Sequence, residues 1–227
     1  MRDYIQKIAG DLACELATTP QYVEYDEPPV DVAEALRYAG FPADKARAIA
    51  NGSSEDQDVF ARAEKAIELA RGKFVYKAGY MTAPLTRDAD GLPVLPFEQR
   101  SKALAGNLLG CEKVVFFAVT IGAAMDRLIR RYERTEVDVA LFLQGYGAER
   151  AEALADALNS DIKEAAKLVG YKTRPRFSPG YGDLPLAVQK DFLTLLDASR
   201  RMGITLADSC LMAPSKSVTA IVGLERA

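Results

Sequence analysis

The sequence predicts an α+β fold, and three observations carry that expectation. Long stretches repeat their apolar residues every three to four positions, as amphipathic helices do. The strand-like runs are few, and they do not alternate regularly with helices as a doubly wound sheet requires. One run, 113–120 (Lys-Val-Val-Phe-Phe-Ala-Val-Thr), is continuously apolar and suits a strand covered on both faces, so it should lie centrally.

Taken in order, the first expected helix covers 1–17, where Tyr4, Ile5, Ile8, Leu12 and Leu16 fall at helical spacing. Residues 18–29, bounded by Pro20 and Pro28-Pro29, read as an acidic, extended connector. That makes 1–29 a helical extension and linker, and 30–227 the main domain. Asp31 can cap a helix over 32–39, which Gly40-Phe41-Pro42 stops before a short helix over 43–50. Asn51-Gly52-Ser53-Ser54 reads as a turn, followed by a helix over 55–71 with Val59, Ala63, Ala66, Ile67 and Ala70 on its buried stripe. Strand pieces at 74–77 and 79–81 come next, with a turn at 88–91, then a helix over 97–109 that Gly110 closes. After the central strand a helix covers 123–132. The longest helix runs over 137–168, where Gly145 and Gly147 invite a kink or a break. A helix over 186–202 and strands at 204–206 and 217–224 complete the chain.

At 227 residues and 49% hydrophobic content, the chain can bury a substantial core without staples. A net charge of −3 with no polybasic run leaves no electrostatic footprint for nucleic acid or an anionic membrane. No apolar run approaches a membrane span and the N-terminus has no secretory pattern, so a cytoplasmic protein is expected. Cys14, Cys111 and Cys210 are odd in number and scattered, which predicts reduced, mostly buried thiols, with Cys210 in the core. Histidine is absent. That removes the commonest metal ligand and general base, and any imidazole for a cobalt or haem iron, so neither a metal site nor a catalytic residue is assigned.

The segment Arg176-Phe177-Ser178-Pro179-Gly180-Tyr181-Gly182-Asp183-Leu184-Pro185 has the composition of a ligand cradle. Pro179 fixes its own φ and pushes Ser178 into an extended conformation, while Gly180 and Gly182 allow positive φ and close backbone approach. Arg176 adds a planar five-donor fork and Tyr181 a flat ring with a polar tip. The plain alternative is a Pro/Gly loop before a helix, with Tyr181 a half-buried aromatic. Asp183 is expected to cap the helix at 186. Lys216 and Ser217 read as a solvated strand start. Glu152 lies about 100° round the long helix from Ala151, at the edge of its apolar stripe, where it can face a cleft or pair with Arg150 or Lys172.

Four blocks together resemble the activation domain of cobalamin-dependent methionine synthase: Phe117-Ala118-Val119-Thr120 with Gly122, Ala151 through Asp156, the Arg-x-x-x-Gly-Tyr pattern of Arg176, Gly180 and Tyr181, and Met212-Ala213-Pro214 with Ser217-Val218. They span 113–222, about half the chain. The resemblance implies a twisted antiparallel sheet flanked by long helices, here with an extra N-terminal helix. It also implies an S-adenosylmethionine site made of Glu152, Arg176, Phe177, Ser178, Gly180 and Tyr181. The activity it implies is that of a freestanding activation subunit: cobalamin on a partner methionine synthase accepts an electron from a flavodoxin-type donor and a methyl group from S-adenosylmethionine. Three departures stand against it. The residues after Tyr181 differ from the family's Cys-Pro-acid-His run, the family's late tyrosine-bearing strand finds no counterpart, and its early Asp is not matched to a particular residue. Two alternatives therefore stay open: a noncatalytic docking module for a corrinoid protein, and a reactivator of a different corrinoid methyltransferase.

Overall fold

The structure, a computed structural model, describes residues 3–52 and 56–227. Residues 1–2, at the head of the first expected helix, and 53–55, in the expected turn and the start of the next helix, lie outside the described residues. Along the chain run α1 (Asp3–Ala13), β1 (Gln21–Tyr25), α2 (Val32–Tyr38), α3 (Ala43–Ala50), α4 (Gln57–Ala70), β2 (Tyr76–Pro84), β3 (Thr86–Arg87) and β4 (Pro93–Val94). There follow α5 (Lys102–Asn107), β5 (Cys111–Thr120), α6 (Ala124–Tyr132), α7 (Val137–Leu168), β6 (Tyr171–Thr173), a 3-10 turn (Leu186–Val188), α8 (Gln189–Leu195), α9 (Ala198–Met202), β7 (Thr205–Leu206), β8 (Met212–Ala213) and β9 (Ser217–Arg226).

Five strands form one antiparallel sheet in the order β1-β2-β5-β9-β6. β5 is central, as its apolar run predicts, and its side chains divide by the two-residue period of a strand. Val115, Phe117 and Val119 enter a core shared with α1 to α4, α6 and α7; Val114, Phe116 and Ala118 enter a second core shared with α5, α8 and α9. Helices thus cover both faces, which is the expected α+β architecture. Among the described residues no helix is long and apolar enough to cross a membrane.

The segment expected as a connector is part of this body. Gln21–Tyr25 pairs with β2 as an outer strand, and the Tyr25 hydroxyl donates to Asp161 on α7 at 2.7 Å. α1 buries Ile5, Ile8, Ala9 and Leu12 in the same core as α7. The two strand pieces expected at 74–77 and 79–81 are one strand, β2, because Gly79 stays in register and leaves room for Tyr22 and Met202.

Four further expectations are corrected. α7 runs unbroken through 32 residues. Its Gly145 makes room for a neighbour: a methyl there would overlap the Ala35 carbonyl and sit 2.7 Å from the Ala39 nitrogen, so only glycine lets α2 lie against the α7 backbone. The helix expected over 97–109 shortens to α5, because Gln99 folds the preceding residues into a loop, donating to the Pro93 carbonyl and accepting from the Ser101 N–H, each at 2.9 Å. The helix expected over 186–202 is divided into α8 and α9 by Asp197, whose φ is 45°. Among the thiols only Cys111 is buried; Cys14 is exposed, and Cys210 is half-buried in the β7–β8 turn with φ 63°.

A buried polar cluster fixes α2 on α7. Arg150 is fully buried and donates to the carbonyls of Pro28 and Pro29 and to Glu149. Glu149 accepts the Asp31 N–H at 3.1 Å, and Asp31 caps α2 by accepting the Glu34 N–H at 3.0 Å. Beside them Glu27 accepts from the Tyr76 hydroxyl at 3.1 Å.

Candidate functional site

Beyond β6 the chain continues along the outer edge of the sheet. The Arg174 N–H donates to the Gly223 carbonyl at 2.8 Å, and Phe177 bridges Ile221 on β9 with bonds of 2.9 and 2.8 Å. Those bonds face inward. In an extended chain successive residues turn their N–H and C=O groups to opposite sides, so next to the Phe177 bridge the groups of Arg176 and the N–H of Ser178 turn outward, as on any sheet edge.

A tight turn follows. The Tyr181 N–H donates to the Ser178 carbonyl at 3.1 Å, the Leu184 N–H to the Tyr181 carbonyl at 3.0 Å and the Gly180 N–H to the Leu184 carbonyl at 2.9 Å. Gly180 and Gly182 take φ values of 87° and 55°, the left-handed region that glycine tolerates. The loop sits on α5, where a methyl at Gly182 would come 2.8 Å from Ala103 Cβ.

Asp183 holds it there, accepting the N–H groups of Lys102 at 2.8 Å and Ala103 at 3.1 Å, and the Ser101 hydroxyl. It therefore caps α5 and not the helix expected at 186. The Ser101 hydroxyl, followed by the Lys102 N–H, pulls the Asp183 carboxyl below its ordinary range. A lowered folded-state value means that this stabilisation is present above the ordinary carboxylate range and lost as pH falls through the lowered value. Asp183→Ala is accordingly expected to lower the melting temperature at neutral pH, with the difference from the parent shrinking in acid. Thermal melts at the two pH values check it.

Opposite the extended segment, α7 presents Glu152 and Asp156, one helical turn apart. Arg176 Nη2 lies 2.8 Å from Glu152 Oε2 and 3.0 Å from Asp156 Oδ1. The partners expected for a bland Glu152 are not used: Arg150 is buried on Glu149, and the acid meets Arg176. The three side chains are 26%, 35% and 69% exposed in the order Arg176, Glu152, Asp156, so the pairs add little to stability, within about 1 kcal/mol. Both carboxylates share one nitrogen. The Nε and Nη1 donors of the guanidinium have no protein partner among the described residues, and the trio carries one net negative charge.

The Tyr181 ring is 71% exposed, well beyond the half-buried loop aromatic of the plain reading, and meets the half-buried Phe177 edge-on at 6.2 Å. The structure therefore brings Glu152 to Arg176 and keeps Phe177, Ser178, Gly180 and Tyr181 on the same segment. Asp156 was missed as a member, although its i,i+4 spacing from Glu152 is readable in the sequence. Ser217 is buried and bonds Thr120 Oγ1 at 2.9 Å, while Lys216 is half-buried and donates to Gln144 Oε1 at 2.8 Å, so neither is a solvated strand start. Burial pushes the Lys216 ammonium below its ordinary range.

Comparison with known proteins bears on this edge. Among solved structures the MetH reactivation domain bound to AdoHcy superposes with a TM-score of 0.66 at 18% identity, covering 92% of this chain and 80% of that chain. No curated protein matches. The family model described as vitamin B12 dependent methionine synthase, activation domain, matches residues 105–226, just over half the chain. That stretch contains β5, α7, the Arg176 loop and β9, the elements that build the edge. The chain belongs to the vitamin B12-dependent methionine synthase activation domain family.

Proposed function

We propose that the chain binds S-adenosylmethionine along the Arg176 edge and serves as an activation subunit for cobalamin carried by a partner methyltransferase, methionine synthase in the first place. The observation that carries this reading is the Arg176 guanidinium, held through one nitrogen by two acids while its other donors stay unspent beside an open backbone edge. The residues fit the molecule. A carboxylate matches the Nε and Nη1 side of the fork, an ammonium matches Glu152, and an adenine edge matches the outward amide and carbonyl of Arg176 and the amide of Ser178. Tyr181 offers a solvent-facing ring against which a base can stack. S-Adenosylmethionine, with two positive groups and one negative, is complementary to a trio bearing one net negative charge.

When bound, the sulfonium supplies an electrophilic methyl group. The chain's own part is to hold the molecule in one orientation, which demands no general base and suits a protein without histidine. The corrinoid and its lower ligand would arrive on the partner, and the reducing electron from a flavodoxin-type donor. Support comes from the family membership and from the neighbouring fold, which was captured with AdoHcy. Calorimetry tests the binding step: saturable heat with S-adenosylmethionine is expected, and none from the folded protein would overturn the reading in favour of a docking module.

A further inference from the structure

Arg127, Arg130, Arg131 and Arg134 set four cations against one acid, Glu133, within a short stretch of a chain whose net charge is −3. They are interrupted in sequence and come together only on the surface of α6. Arg127, Arg130 and Arg131 lie on that helix within an arc of about 100°, and Arg134 follows in the turn that closes it. Met125 and Ile129, on the opposite side of α6, are buried in the core shared with α7, so the arginines occupy its outward face. All four are exposed.

Among the described residues none of the four side chains makes an ion pair or a hydrogen bond; Arg131 has only the Tyr132 ring, 5.8 Å from its guanidinium. The nearby acids are engaged elsewhere. Asp126 accepts the Ser215 N–H at 3.1 Å, Glu136 pairs with Lys65 and Asp138 with Arg62. Like charges three and four positions apart on a helix repel, and no acid stands inside this arc to relieve them. A cation in the last turn suits the helix dipole, which accounts for Arg130 and Arg131. Arg127 stands in the first turn, where the dipole opposes it. Packing of α6, carried by Met125 and Ile129, asks for none of these charges, so the fold tolerates a local conflict that serves something outside it.

We infer that this face of α6 docks the carboxylate-rich face of a second protein. Charge complementarity selects that occupant. A membrane would need an apolar helix face to enter the lipid, and that of α6 is in the core. A nucleic acid would carry its phosphates past the ends of a stripe roughly 10 Å long, onto a body that is negative overall. No large apolar side chain is exposed over 124–134, so the contact has charge without an apolar centre. That is the makeup of a fast, salt-sensitive encounter and not of a permanent complex. The inference goes beyond the proposed function and needs no ligand at the Arg176 edge.

A fluorescent oligoglutamate peptide, a soluble stand-in for such a face, tests it by anisotropy. The parent should bind the peptide at low ionic strength and release it as salt is added. A variant combining Arg127→Gln, Arg130→Gln, Arg131→Gln and Arg134→Gln should bind at least about tenfold more weakly. Glutamine keeps the helix propensity, and an unchanged melting temperature shows the fold intact. A control combining Lys163→Gln, Lys167→Gln, Lys172→Gln and Lys190→Gln removes as many exposed charges elsewhere and should bind like the parent. Equal losses in the two variants would show that net charge alone attracts the peptide, and overturn the inference. So would a parent that ignores the peptide, or an arginine variant that binds it as the parent does. Tighter binding of an oligonucleotide with the same number of charges, or of phosphatidylserine vesicles, lost in the arginine variant, would assign the stripe to a nucleic acid or a membrane instead. Loss of S-adenosylmethionine binding in the folded arginine variant would place the stripe inside the ligand site, and it too overturns the inference.

Discussion

Arg176→Ala is expected to weaken S-adenosylmethionine binding by about 1.5–3 kcal/mol, roughly ten- to a hundredfold, without a comparable loss of stability. The lost interaction is a charge-assisted bond to the ligand carboxylate, and the substitution also strips Glu152 and Asp156 of their shared counter-charge. Two acids left one turn apart on α7 repel, so Glu152 would no longer be held at the edge. Stability changes little because both pairs are partly solvated, and a solvated pair contributes about 0–1 kcal/mol. Arg176→Lys should recover only part of the affinity, since an ammonium offers a point charge where the site uses a planar fork. Titration calorimetry alongside thermal melting separates the two quantities. Equal affinity in parent and Arg176→Ala would mean that the guanidinium is a surface staple and no part of a ligand site.

The elements that do most to place this site were those most legible in the sequence, for a physical reason. The continuous apolar run of β5 and the long stripe of α7 are repeated signals, which no single residue can disguise. The glycines at 180 and 182 announced their own backbone freedom, and Arg176 its donors. What sequence could not supply was contact between segments far apart along the chain. Gly145 has the same local signature whether it breaks a helix or admits a neighbouring backbone, and only the approach of α2 decides which. Asp183 was recognisable as a capping residue, yet its helix lies 80 positions upstream. Residues 21–25 looked like an acidic connector because their charge was read before their alternation; Tyr25 facing Asp161 gives the strand an inner side. The Glu152–Arg176 pair spans 24 positions and follows from the fold alone.

The largest stability effect is expected at Arg150, which holds the far side of the same architecture. Its guanidinium is fully buried and faces the Tyr146 ring at 5.6 Å, while its donors meet Glu149 and the carbonyls of Pro28 and Pro29. Arg150→Met keeps the bulk but leaves Glu149 a buried charge with only the Asp31 N–H, and leaves two carbonyls unmet. Breaking one side of such a pair costs about 3–5 kcal/mol, a large share of the roughly 5–15 kcal/mol that holds a domain together. The pH dependence identifies the cause. Burial already raises the Glu149 carboxyl above its ordinary range against the pull of Arg150, and without Arg150 it rises further. In the interval between the unfolded value and that raised folded value the native variant holds a proton that the unfolded chain has released, so its stability increases as pH falls. The deficit against the parent should therefore be greatest at neutral pH and shrink in mild acid, as followed by urea unfolding at both. Pairing the substitution with Glu149→Gln should return part of the loss, because the stranded charge is gone. A deficit that ignores pH and is not relieved by Glu149→Gln would show that lost packing, and not an unpaired acid, is what Arg150 prevents. In either case the start of α2 loses an anchor on α7.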